Sequence, residues 1–190
     1  MTPILSILIP SIPERLSTAI GLYRRIQEVV KAYPVEIIML TDNRIRTIGA
    51  KREQLKNMAT GDYLCFVDDD DKISDNYHFI CHAIGQGADV ITFKQHCIVD
   101  HWECWVDFDL AHTENQTFEP GATIERLPWH VCAWKRELVQ DISFPLEGRE
   151  SMYGEDWAWC EQALKRVKTQ TKIDESLHTY IFNSSSTAAK

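Results

Sequence analysis

Tyr63-Leu64-Cys65-Phe66-Val67-Asp68-Asp69-Asp70-Asp71 runs five apolar residues directly into four consecutive aspartates. A short, uninterrupted apolar run of this kind reads as a strand buried on both faces, the pattern of a parallel sheet. Carboxylates packed so tightly repel one another. On an extended backbone alternate side chains turn to the same side, so Asp68 and Asp70 can converge on one cation while Asp69 points elsewhere. Mg²⁺ or Mn²⁺ suits such a pair, because it takes one or two carboxylates and leaves its other positions for water and substrate phosphates. The alternative is an acidic turn that merely ends a strand, since Asp is also a good turn residue.

The same alternation of buried strand and helix extends upstream. Ile4 to Ile9 is a second apolar run, entering a loop at Pro10-Ser11-Ile12-Pro13. From Ser17 to Tyr33 the residues Ala19, Leu22, Ile26, Val29, Val30 and Tyr33 recur at helical spacing, with Ser17 as cap and Pro34 closing the pattern. Val35 to Leu40 is a second buried strand, ending in Thr41-Asp42-Asn43, and a helix from about Ile48 to Ala59 stops at Gly61. The order β-α-β-α-β implies parallel strands with right-handed crossovers, which bind ligands beyond their carboxyl ends. Pro10 to Ile12, Thr41 to Asn43 and Asp68 to Asp71 all fall there and are expected to face one crevice.

Downstream, Ser74-Asp75-Asn76 is expected to start a helix reaching Gly85 to Gly87, followed by a strand over Ala88 to Phe93. Residues 94–128 read as a twisted hairpin and a loop, Trp129 to Trp134 as extended, and Arg136 to Val139 as a short turn. Glu155 to Lys168 is a helix with Trp159, Ala163 and Val167 on one face. The Ser- and Ala-rich tail 183–190 is expected to fray.

With 190 residues the chain suits one well-buried domain. Its 44% hydrophobic and 25% charged composition is that of a soluble globular protein. The net charge of -8 argues against a broad nucleic-acid surface, although Arg44, Arg46, Lys51 and Arg52 form a local stretch suited to anions. The opening apolar segment has no basic residues before it and is cut by Pro10 and Pro13, so it reads as neither a signal peptide nor a membrane span. A soluble, cytoplasmic protein without an integral membrane segment is expected, its six cysteines reduced because none forms a CxxC pair. His78 and His82 would share a helix face beside Cys81, as zinc ligands often do, but no Glu completes an HExxH pattern, and His96, Cys97, His101 and Cys104 have none of the usual finger spacings, so ordinary residues are the main reading and structural zinc the minor one.

Further segments recur in a fixed order: Ile7-Leu8-Ile9-Pro10-Ser11; Asp42 ending the second strand; Arg52 nine residues before Gly61-Asp62-Tyr63; and Asp68-Asp69-Asp70 as a DxD motif. Lys135-Arg136-Glu137-Leu138, Phe144-Pro145, Gly154-Glu155-Asp156-Trp157 and Leu177-His178-Thr179-Tyr180 follow. Together they resemble the GT-A fold, and within it the large family 2 of nucleotide-sugar glycosyltransferases, over nearly the whole chain. Glu53 departs from the family's frequent Asn beside Arg52, and the chain is near the lower size limit.

The resemblance implies an α/β, Rossmann-like GT-A fold: a mixed, mainly parallel sheet flanked by helices in a single domain over 1–190. Residues 1–93 would form the nucleotide-sugar-binding half, 94–182 the acceptor-binding half and 183–190 a flexible tail. It implies metal-dependent transfer of a sugar from a nucleoside-diphosphate sugar, a UDP-sugar, to an acceptor hydroxyl. Pro10, Ser11, Asp42, Arg52, Asp68 and Asp69 would meet the donor, with Asp42 reading the base and Arg52 the phosphates. Asp70, Asp68 and His178 would hold Mn²⁺ or Mg²⁺, Asp68 being alternatively a ribose contact. The Glu155-Asp156 pair would supply the catalytic base. The acceptor is open between a glycan, a protein, a lipid-linked sugar and a modified nucleobase, and no oligomeric state is indicated.

The chemistry stands without the family. A departing diphosphate needs its developing charge stabilised, which a divalent ion does without proton transfer. The attacking hydroxyl needs a base, for which Asp156 is the candidate. A base opposite the leaving group implies in-line displacement with inversion. Plainer roles exist for each residue: Asp42 as a turn former, Arg52 as a surface helix residue, Glu155 and Asp156 as favourable charges in a helix's first turn. Of Trp129, Trp134, Trp157 and Trp159, Trp159 belongs to the core, and Trp157 is the better acceptor platform. A nucleotidyltransferase of related fold is the second enzymatic reading, although Pro10 to Pro13 is the wrong chemistry for a glycine-rich phosphate loop. An inactive nucleotide- or sugar-binding module is the third.

Overall fold

The computed structural model describes residues 2–184. Strand β1 (Leu5–Ser11) is buried throughout and lies between β2 (Val35–Thr41) and β3 (Tyr63–Phe66), both parallel to it; β2, at the end of the sheet, is only partly buried along its length rather than buried as its apolar run predicts. Helix α1 (Leu16–Val30) joins β1 to β2 and buries Ala19, Leu22, Ile26 and Val30, one stripe at helical spacing. Helix α2 (Ile48–Met58) joins β2 to β3; the Thr47 hydroxyl caps it by accepting from the Ala50 N–H at 3.2 Å.

Beyond β3 lie β4 (Lys72–Ile73), α3 (Phe79–Ile84), β5 (Val90–Val99), β6 (Trp102–Phe108), β7 (Thr123–Arg126), β8 (Ala133–Lys135), α4 (Arg136–Val139), α5 (Glu155–Leu164) and β9 (Gln170–Phe182). The strands run in the order β2-β1-β3-β8-β5-β6-β7. Strand β8 is antiparallel to both β3 and β5, which also pairs with β6, and β9 runs parallel along the other edge of β5. The result is the mixed α/β GT-A-like architecture, with helices packed on a sheet whose first three strands are all parallel.

Pro10 and Ser11 belong to β1 rather than to the following loop. The Leu8 carbonyl accepts from Val67, so Pro10, of the same parity, faces the side on which β3 has already ended, and its missing N–H deprives no partner. Residues 74–78 form turns instead of the first part of a helix, with Tyr77 N–H donating to the Ser74 carbonyl. The segment 129–134 is also only partly extended: a turn from Trp129 to Cys132 precedes β8. Helix α5 stops at Leu164, four residues short of the predicted end.

The core is aromatic at its centre. Trp159 is fully buried, stacks on Phe144 at 5.1 Å and meets Phe66 and Trp134 edge-on. Gly49 lets α2 press against the segment after Phe144, since a Cβ there would lie 2.1 Å from the Pro145 carbonyl oxygen. All six cysteines are buried and unpaired. Among the described residues no helix is long and apolar enough to cross a membrane. Of the predicted fraying tail, 185–190 lies outside the described residues, while the Ser184 N–H donates to Asp100 at 2.8 Å.

Candidate active site

The carboxyl ends of β1 and β3 and the first turns of α2 enclose a cavity of about 510 Å³. Pro10 and Ser11 line it from β1, Asp68, Asp69 and Asp70 from the end of β3, and Arg44, Arg46, Lys51 and Arg52 from α2 and the loop before it. Arg15, in the short turn after β1, adds a fifth cation that carried no sequence signal. Such a concentration of cations on an acidic protein suits an anionic ligand.

Asp42 stands behind this wall. Lys51 Nζ lies 3.0 Å from its Oδ1 and Arg46 Nη1 3.3 Å from its Oδ2, and Lys51 also donates to the Ser11 carbonyl at 2.6 Å. Burial pushes the Asp42 carboxyl up, but Lys51 and then Arg46 hold it below the usual carboxylate range.

The four aspartates divide in pairs. The side chains of Asp68 and Asp70 are 30% and 35% exposed, those of Asp69 and Asp71 only 4% and 3%. The division arises in a turn, closed by the Asp71 N–H donating to the Asp68 carbonyl, because β3 has already ended at Phe66. Asp69 accepts from the Ile12 N–H and from Arg15, and Asp71 from the Ile181 N–H at 2.9 Å, so both are built into the fold. Asp70 Oδ2 lies 2.7 Å from Arg15 Nη1. Burial pushes the Asp70 carboxyl up to about 6 against Arg15, with Asp68 and Asp69 adding to the rise.

That excess of negative charge, partly open to the cavity, fits a hard divalent cation on Asp68 and Asp70. His178 makes its closest contacts to Asp71 and Gln95 rather than to this pair, although the charge of Asp68 reaches it. Its ring is fully buried, with Nδ1 2.9 Å from the Gln95 amide nitrogen and Nε2 3.3 Å from Asp71, and burial lowers it to about 4. Among the described residues the ligand atoms that gather most closely in a group of three are those of Asp107, Asp109 and His112, on and after β6. Lys172 Nζ already lies 2.8 Å from each of those two carboxylates.

Arg52 connects the two halves of the site. It is buried, donates through Nη2 to Asp68, lies with Nε 3.3 Å from Glu155 and stacks its guanidinium 5.5 Å from the Phe66 ring centre. Glu155 therefore faces inward, and burial pushes it up to about 7 against the pull of Arg52. Its neighbour Asp156 faces outward from the first turn of α5, which Gly154 enters in the left-handed conformation at φ 84°. Asp156 accepts from the Trp129 indole N–H at 2.9 Å and from the Trp157 backbone N–H at 2.8 Å. Trp129 and Trp157 stack at 5.1 Å and 17°.

Asp156 lines a second cavity of about 230 Å³, whose wall also includes Gln95, Arg126, Trp129 and His130. Asp68 and Tyr180 border both cavities. Buried His130 sits between the acids, Nδ1 3.4 Å from Asp156 and Nε2 4.0 Å from Asp68, and burial with the charge of Arg52 holds it neutral. Nothing in the pattern of the segment 129–134 marks His130; the Phe66 N–H donating to its carbonyl puts it there.

No protein-family model and no curated protein matches the chain. Solved structures do match. S. aureus TarS 1-349 in complex with UDP-GlcNAc is similar at a TM-score of 0.64 and 14% identity, over 97% of this chain and 59% of that one. The same fragment in complex with UDP aligns at 0.57 and 14%, over 94% and 60%, and S. aureus TarS itself at 0.60 and 13%, over 93% and 36%. The likeness establishes a shared fold, and this chain spans less than two thirds of the length of those it matches.

Proposed function

We propose that this domain transfers a sugar from a nucleoside-diphosphate sugar, a UDP-sugar, to an acceptor hydroxyl, with inversion at the anomeric carbon. The observation that carries the reading is that Asp68 borders both a cation-rich cavity at the strand ends and a smaller cavity holding Asp156. A donor in the first cavity with its sugar in the second would have its scissile bond at that junction. The complexes of the structurally similar TarS with UDP and UDP-GlcNAc support the same assignment.

In this reading Pro10 and Ser11 form the wall against which the nucleotide lies. Lys51 and Arg15 meet the diphosphate, and Asp42 and Asp69 fix those two cations in place. Arg52 keeps Asp68 ionised at the junction. Mg²⁺ or Mn²⁺ held by Asp68 and Asp70 would supply the positive charge that a departing diphosphate requires. His178 supports the acidic turn from behind, through Asp71. Residues 1–93 thus serve chiefly the donor and 94–182 chiefly the acceptor.

Asp156 takes the proton of the acceptor hydroxyl as its oxygen bonds to the anomeric carbon, while the bond to the diphosphate oxygen breaks and its electron pair leaves with the nucleotide. The Trp129 indole holds Asp156 in a defined orientation, and the Trp129–Trp157 stack offers an aromatic face to the acceptor. Glu155, turned towards Arg52, positions rather than reacts.

The test is incubation with UDP-sugars, Mn²⁺ and candidate acceptors. Release of UDP with glycosylated product supports transfer, release of pyrophosphate assigns a nucleotidyltransferase, and binding with neither product assigns a binding module. NMR of the first-formed product reads the stereochemistry, and a retained configuration would overturn the in-line mechanism.

A further inference from the structure

The cations at the two cavities differ in one respect. Arg15, Arg44, Arg46, Lys51 and Arg52 each have a carboxylate within 4 Å. Arg126, at the end of β7, has none among the described residues, although Asp68, Asp71 and Asp156 line the same second cavity.

Its guanidinium is nevertheless held in place. Nε donates to the Gln116 carbonyl at 2.9 Å, and Gln116 is itself fixed by a reciprocal pair of hydrogen bonds with Glu125. The Phe118 ring centre lies 4.4 Å from Cζ and that of Trp129 5.7 Å. Stacking covers the faces of a guanidinium and leaves the N–H donors in its plane, and among the described residues no group accepts from the two terminal nitrogens. A cation ordered in advance, half-buried and unpaired, is a receptor awaiting an anion.

We propose that Arg126 selects a sugar carrying an anionic substituent, a carboxylate or a phosphate, in the second cavity. This rests on the glycosyltransferase reading and adds a substrate class to it. A cavity of about 230 Å³ is too small for a nucleotide but suits a single sugar ring. Asp68 and Asp156 on the same wall disfavour an anion away from Arg126, so the charged group fixes the orientation of the ring as well as its identity. The anion belongs either to the transferred sugar or to the acceptor.

Calorimetric titrations separate the two sources. In the donor arm, UDP, UDP-glucose and UDP-glucuronate are titrated with Mn²⁺ into the wild type, R126K and R126Q. In the acceptor arm, UDP-loaded protein is titrated with methyl glucoside, methyl glucuronide and glucose 6-phosphate. The expected result is an anionic ligand bound at least about tenfold more tightly than its neutral counterpart in one arm. That preference should shrink in R126K and vanish in R126Q, with UDP affinity unchanged within about twofold. Circular dichroism checks the fold of both variants, and if R126Q does not fold, the wild-type preference and R126K decide. Equal binding of neutral and anionic ligands in both arms overturns the proposal, as does an R126Q defect that falls equally on UDP and neutral sugars. Failure of the wild type to bind UDP overturns the glycosyltransferase reading itself, whereas UDP binding without any charge preference overturns only the role of Arg126.

Discussion

Arg52 holds both carboxylate oxygens of Asp68 with a single nitrogen, Nη2, at 2.9 and 3.0 Å. Its Nε is thereby left to face Glu155, so one buried cation compensates two acids on opposite sides of the site. Removing a buried ionic partner costs more than the pair contributes, because the remaining charge stays desolvated. Arg52→Met is expected to lower the unfolding free energy by about 3 to 5 kcal/mol in urea titration. Adding Glu155→Gln to that variant should recover part of the loss, since one of the two stranded acids is then neutral. Additive effects of the two substitutions would deny the coupling.

The pH dependence of stability isolates Glu155. Burial raises its folded-state carboxyl to about 7 from an ordinary 4.5. A raised acid binds a proton in the folded state that the unfolded state has released, so its contribution is complete below about 4.5 and is lost as pH rises through about 7. The slope reaches about 1.4 kcal/mol per pH unit within that window. His130 and His178, both lowered by burial, impose the opposite slope. The difference between wild type and Glu155→Gln cancels the histidines and should fall across pH 5 to 7; a flat difference curve would show that Glu155 is ionised throughout.

How much of this was legible in the sequence depends on what fixes each element. Strands β1 and β3 are buried on both faces, so apolar runs announce them, and α1 shows its buried stripe at helical spacing. The aspartates were legible for the same reason, as the first polar residues after such a run. Strand β9 is legible only near Leu177 to Tyr180, because Lys172 to Ser176 includes exposed polar residues and pairs with β5 across a register shift rather than presenting an apolar face. Arg15, Arg126 and His130 left no pattern at all. Each reaches the site through a tertiary contact: Arg15 through Asp69, Arg126 through the Gln116 carbonyl, His130 through Phe66.

Asp156 and Trp129 make separable predictions. Asp156→Asn keeps the shape of the side chain and its place in the second cavity but cannot take a proton, so turnover should fall by about 10²- to 10⁴-fold while UDP affinity is retained. Trp129→Phe removes the N–H that orients Asp156 and keeps an aromatic face against Trp157. It should lower kcat with little change in the donor KM, because the indole N–H is already engaged by Asp156. An Asp156→Asn enzyme with full turnover would remove Asp156 as the base.

Asp70 ties metal binding to pH. Its carboxyl is pushed up to about 6 by burial and by Asp68 and Asp69, and a protonated carboxyl is a poor ligand for a hard cation. Chelation of divalent ions should therefore weaken UDP binding at pH 7.5, and Mn²⁺ should restore it. The gain from Mn²⁺ should fade as pH drops through about 6, the range in which Asp70 takes up its proton. Asp70→Ala should lose that gain at every pH while keeping the metal-independent affinity that Arg15 and Lys51 provide. Calorimetric titration of UDP with and without Mn²⁺, at pH 5 and 7.5, reads all four cases; equal gains from Mn²⁺ in the wild type and Asp70→Ala would place the ion on other residues.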